Sequence, residues 1–194
     1  SKQLGQFVAD YLYSIYGEYK GNIVEIQEAV GSSATIERYN GFREALAQYP
    51  NIKIIASQTG HGYRLEGTKV MENYLERFPA GSIDIVYTHS DEMALGALQA
   101  IKAAGRTELV GRIVTIDGQR AAIKAVVDGE LLAVADYAPH FGEAAFRTIL
   151  EYLEGKEVAP VQMLQFNMYH MQTAEGKAFT TNYYNRMLAE DLFY

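Results

Sequence analysis

The chain has 194 residues, 48% of them hydrophobic and 21% charged, an ordinary globular composition that can bury one good core or two modest ones. A formal net charge of −7 with no basic run argues against a surface built to wrap nucleic acid or to lie on an anionic membrane. Cysteine is absent, which removes a disulfide framework, a thiol nucleophile and thiolate metal ligation, and no apolar run approaches the roughly 20 residues of a membrane span.

From the start of the chain, helix-spaced and strand-like segments alternate. Leu4, Phe7, Val8, Tyr11, Leu12 and Ile15 share one helical face, Gly17 and Gly21 bracket a turn, and Asn22 to Gln27 reads as a strand. Ser32 and Ser33 cap a second helix with a stripe at Phe42, Leu46 and Tyr49, ended by Pro50 and followed by a strand from Ile52 to Ala56. A third helix carrying Val70, Tyr74 and Leu75 stops at Pro79, before a strand from Ile83 to Tyr87. Asp91 is expected to cap the next helix, which holds Met93, Ala97, Leu98 and Ile101 and ends at Gly105. The order continues with a strand from Arg112 to Ile116, a short helix from Gln119 to Val127 and a strand from Leu131 to Ala135. A helix opened by Pro139 then runs to Leu153, a strand spans Val161 to Asn167, and the tail from Thr173 is helical or irregular. This alternation predicts an α/β fold, a parallel sheet flanked by helices on both faces.

Ligands of such sheets sit outside the carboxyl ends of the strands, so the residues that follow each strand matter most. They are polar: Glu28 to Ser33, Ser57 to Tyr63, Thr88 to Asp91, Asp117 with Gly118, and Asp136 with Tyr137. Hydroxyls, carboxylates, aromatic rings and the guanidinium of Arg38, with few other cations, suit a neutral polar ligand such as a sugar better than a phosphate. His61, His89, His140 and His170 lack metal-ligand spacing, and Ser32 and Ser33 have no nucleophile-elbow context, so neither a metal site nor a hydrolase is predicted. No cofactor fingerprint is present either.

Three motifs in register carry a family resemblance: GSSATIERYNGF at 31–42, SDEMALGA at 90–97 and IDG at 116–118. Together they resemble the ribose-binding-like family of periplasmic sugar-binding proteins, and the wording VYTHSDEM at 86–93 and VTIDG at 114–118 looks most like its galactofuranose-binding subgroup. The resemblance implies two lobes, with Ser1 at the first crossing into the carboxy-terminal lobe and the amino-terminal lobe therefore absent, so that the fold is truncated. On that alignment residues 1–137 form the sugar-binding lobe, 138–168 complete the missing lobe, and 169–194 are a hinge return and tail. The helix at Phe141 to Leu153 and the strand at Val161 to Asn167 would then expose apolar surface, inviting self-association.

The resemblance also assigns roles. Arg38 corresponds to an arginine that donates to ring or hydroxyl oxygens, against the bland alternative of a surface pair with Glu37 or Glu44. Asp117 corresponds to an aspartate that accepts from two neighbouring hydroxyls, against the alternative of capping the helix that follows. Ser90 stands where many members carry an asparagine, leaving room for a water, for neighbouring His89 or for a larger ligand. Gly62 stands where a phenylalanine stacks on the sugar, and Tyr63 is the substitute. Tyr137 occupies the place of a hinge glutamine, with Asp136 as its competitor. The implied function is the non-enzymatic solute-binding component of an ABC-type sugar importer, closing on a monosaccharide by a hinge and presenting the closed form to a membrane permease. Such a protein is exported to the periplasm, with its signal peptide outside these residues. The alternatives are the sugar-sensing effector domain of a lac-repressor-type regulator or of a membrane receptor.

Overall fold

A computed structural model of the chain describes residues 1–137, 141–162, 164 and 166–191. Among the described residues, six strands form one sheet in the order β2-β1-β3-β4-β5-β6. The first five are parallel: β1 (Lys20–Gln27), β2 (Asn51–Thr59), β3 (Ile85–Thr88), β4 (Ile113–Asp117) and β5 (Ala133–Asp136). The last, β6 (Met168–His170), runs antiparallel to β5.

Helices cover both faces, and the pleat of the strands explains how. Ile23, Ile85, Tyr87, Val114 and Ile116 point to one side, where they bury against α1 (Lys2–Tyr16) and α2 (Ser33–Leu46) through Leu4, Val8, Leu12 and Phe42. Their neighbours Val24, Ile26, Val86, Ile113 and Val134 point to the other side, against α3 (Arg64–Arg77), α4 (Asp91–Ala103), α5 (Arg120–Val127) and α7 (Ala174–Ala189). Phe42 and Tyr87, both fully buried, stack at 3.9 Å between ring centres and tie α2 to β3. The Ser32 hydroxyl accepts from the Thr35 amide and starts α2, while Gly17 in left-handed geometry ends α1. Ile15 at that end is 39% exposed, outside the buried stripe.

Two expected elements differ. The described residues between Val161 and Asn167 are not a strand: Asn167 meets the end of β5 by accepting from the Asp136 amide at 2.9 Å, and the ladder proper begins at Met168. Asp136 directs this return, since its carboxylate accepts from the Asn167 amide and side chain, both at 2.7 Å, and from the Tyr169 hydroxyl at 3.0 Å. The tail is then regular. Thr173 caps α7, whose Met187 joins the same core as α4 and α5. Helix α6 (Gly142–Leu153) starts after the expected Pro139, which with His140 lies outside the described residues, and none of its residues is buried. Phe146, Ile149, Leu150 and Leu153 all stand at least half exposed.

Candidate functional site

The sheet changes winding direction between β1 and β3, because the chain leaves β1 toward β2 on one side and returns past it to β3 on the other. Carboxyl ends of strands diverge at such a point and leave a crevice. Around it lie Arg38 from the second turn of α2, the segment after β3, Asp117 at the end of β4, and Asp136 with Tyr137 after β5. A depression of about 770 Å³ opens on the α2 side of these groups, between the start of α1 and the ends of β4 and β5, bordered by Glu37, Arg38, Ile116, Asp136, Tyr137 and Phe166.

Arg38 is the centre of the arrangement. One terminal nitrogen donates to Asp117 Oδ1 at 2.8 Å and the other to the backbone carbonyl of His89, which fixes the guanidinium in orientation on a side chain that is 11% exposed. It makes no surface pair with Glu44, which binds Lys2 instead. The Tyr137 ring, 73% exposed, lies with its centre 5.7 Å from the guanidinium carbon. Arg38, Asp117 and Tyr137 are thus brought together.

Asp117 is freed for this role by a neighbour. Asp91 does not cap α4, whose first turn has no side-chain cap; its Oδ2 reaches across to accept from the Gly118 amide at 2.9 Å and the Gln119 amide at 2.7 Å, ahead of α5. Asp91 is the first residue of α4, one position past the N-cap Ser90, and its carboxylate is engaged by the two amides that precede α5. Asp117 therefore need not cap anything. It holds a φ of 146°, a region that a non-glycine residue seldom enters, and among the described residues its Oδ2 accepts from the Asp91 amide alone, at 3.4 Å. Burial raises the Asp117 carboxyl above its ordinary value, more than the Arg38 charge and hydrogen bond lower it. Asp91, wholly buried, is pushed up to about 7 by burial and then by the Asp117 charge, against the pull of the Gln119 and Gly118 amides.

The remaining predicted residues divide. Ser90 is buried with its hydroxyl unpartnered. His89 is fully buried, and its ring faces away into a polar network that sequence reasoning did not single out: Nε2 meets Glu25 Oε1 at 3.1 Å. Glu25 is itself fully buried, gripped by both terminal nitrogens of Arg43 at 2.8 and 2.7 Å and by Ser57. Burial pushes its carboxyl up, but Arg43, His89 and Ser57 outweigh that and hold it down at about 2. The signal for this network was a lone carboxylate inside the apolar strand β1. Asp136 has both oxygens occupied by Asn167 and Tyr169. Tyr63 is 68% exposed ahead of α3.

Comparison with known proteins agrees with this geometry. The model of a periplasmic binding protein domain matches residues 1–157. Galactofuranose-binding protein YtfQ of Escherichia coli (strain K12) is 36% identical over 177 residues, which are 88% of this chain and 55% of that protein. Ribose import binding protein RbsB of the same organism is 35% identical over 155 residues, 79% of this chain and 50% of that protein. The periplasmic binding component of the arabinose ABC transporter from Shewanella sp. ANA-3, solved with α- and β-L-arabinofuranose, superposes with a TM-score of 0.82 at 34% identity, covering 100% of this chain and 64% of that one. The chain spans about half the length of the curated relatives it matches. With one family model covering most of its residues and a doubly wound sheet whose crevice is lined as described, the chain belongs to the periplasmic binding protein domain family.

Proposed function

We propose that this chain supplies the sugar-recognising lobe of a periplasmic solute-binding protein that delivers a monosaccharide to an ABC-type importer. The observation that carries the reading is the Arg38–Asp117 pair at the strand ends. A guanidinium fork held rigid by two acceptors can present its remaining edge to ring or hydroxyl oxygens, and a carboxylate left 27% exposed can accept from two adjacent hydroxyls. Tyr137 adds an aromatic face, and Ser90, His89, Tyr63 and Asp136 shape or support the crevice around it. The relatives support sugar as the ligand class and transport, not catalysis, as the task, because their names describe binding of galactofuranose, ribose and arabinofuranose.

In this reading residues 1–137 are the sugar-binding lobe, 138–168 belong with a second lobe, and the remainder passes the hinge and returns to the sheet. Closure follows physically: hydroxyls that point away from Arg38 and Asp117 are satisfied only when the second lobe covers them, so ligand binding and shape are coupled. The test is a thermal-shift panel of pentoses, hexoses, furanose-forming sugars and polyols on the full-length, two-lobed protein, alongside Arg38→Ala and Asp117→Ala. A ligand bound to the native state raises its melting temperature. A shift for one sugar class, lost in both variants, is expected; no shift with any sugar refutes the reading.

A further inference from the structure

Gly62, in the turn between β2 and α3, has a φ of 82°, which by itself favours glycine. The end of a flexible side chain also lies close to it. A Cβ at position 62 would stand 2.6 Å from Glu28 Oε2 and 3.1 Å from its carboxyl carbon, so the Glu28 carboxylate occupies the space that a side chain at 62 would fill. Glu28 follows β1 and Gly62 follows β2, which places both at the carboxyl ends of the strands, on the rim of the same crevice. Among the described residues the Glu28 carboxylate has neither a hydrogen bond nor an ion pair, although Arg38 and Asp117 beside it are both engaged. Its charge nevertheless reaches Asp117, which it helps to raise. A carboxylate that lies against a glycine at the rim of a binding crevice, without a partner among the described residues, is free to meet a ligand.

We infer that Glu28 is a specificity-determining residue of this crevice, an open acceptor that selects ligands offering a hydroxyl or ammonium donor on the Gly62 side and rejects anionic sugars. An aromatic wall at this place would stack on the C–H face of a sugar; a carboxylate cannot, and instead accepts a donor and repels a carboxylate or phosphate. The rim pairs one guanidinium, Arg38, with two carboxylates, Asp117 and Glu28, so a neutral polyol or an amino sugar fits its charge and a uronate does not. This inference rests on the sugar-binding reading above.

The experiment is calorimetric titration of the full-length protein, as wild type and as Glu28→Gln, with neutral aldoses, the corresponding hexuronates and 2-amino-2-deoxyhexoses. The glutamine keeps the shape and removes only the charge. The expected result is a loss of about tenfold in affinity for the preferred neutral or amino sugar, as for one charge-assisted hydrogen bond, with a hexuronate competing better than it does against the wild type. A wild type that binds a neutral or amino sugar, with Glu28→Gln binding it within twofold of the same affinity, overturns the role of Glu28 and leaves sugar binding standing. A wild type that binds none of the sugars overturns the sugar-binding reading, and the role of Glu28 falls with it.

Discussion

Replacing Asp91 by asparagine should make the folded chain more stable at neutral and alkaline pH, although it removes a buried carboxylate that accepts two backbone amides. Asp91 Oδ2 serves Gly118 and Gln119, while Oδ1 is buried close to the Thr115 hydroxyl, and the Ser90 hydroxyl is buried without a partner. An asparagine keeps an acceptor toward the two amides, places a donor toward the Thr115 hydroxyl oxygen and adds no charge beside Asp117. The carboxyl titrates near 7 in the folded chain against 3.8 as the ordinary value, so the native state keeps a proton that the unfolded chain has already released. Stability therefore falls as pH rises from about 4 to about 7, by about 4 kcal/mol at 1.36 kcal/mol for each unit, and is level above that. Asp91→Asn has no such slope. Urea unfolding of both chains at about pH 5 and about pH 8 tests this. Far-UV circular dichroism is the suitable probe, since the chain contains no tryptophan. The variant should be the more stable at the higher pH, with the gap narrowing at the lower. Parallel pH profiles, or a variant that is less stable at the higher pH, would refute the reasoning.

Glu25→Gln should behave in the opposite sense. The folded carboxyl is held at about 2 against 4.5, so its contribution of about 3 kcal/mol is present above 4.5 and is lost as pH falls toward 2. Unfolding curves of wild type and variant should lie far apart at neutral pH and converge in acid. Asp136→Ala removes the acceptor of three hydrogen bonds and should cost about 3 kcal/mol. Hydrogen exchange should show β6 and α7 losing protection while β1 and β3 keep theirs. Leu150→Ala on α6 should change the urea midpoint by no more than the equivalent of about 0.5 kcal/mol, because no residue of that helix is buried.

The order of helices and strands was legible because amphipathic periodicity is a local property, and from α1 to β5 the boundaries differ from expectation by only a few residues. Arg38 and Asp117 were legible as residues through motif wording, but not their contact, which joins positions 79 residues apart. What the sequence could not disclose is which carboxylate serves which helix. Asp91 stands at the start of α4 and reads as its cap, yet the packing of α4 against the turn after β4 turns it toward α5. His89 offers the same lesson. It follows a strand end, as a ligand residue would, but Glu25 two strand positions into the core of β1 draws its ring inward. The strand expected at Val161 to Asn167 failed for a related reason: β propensity makes a strand only along a partner edge, and the chain reaches the end of that edge at Asn167 and pairs along it from Met168.

The antiparallel return of β6 also alters how the sheet meets other chains. By covering β5 it leaves β2, among the described residues, as the long open border, a nine-residue strand with unpaired amides and carbonyls along its outer side. Two features guard that border. Lys53 stands exposed on it, and the pairing slips by one residue between Ile23 and Val24, which breaks the flat run a foreign strand would need as a template. Protection against uncontrolled strand addition is thus divided between a short cap at one side of the sheet and a charge with a kink at the other.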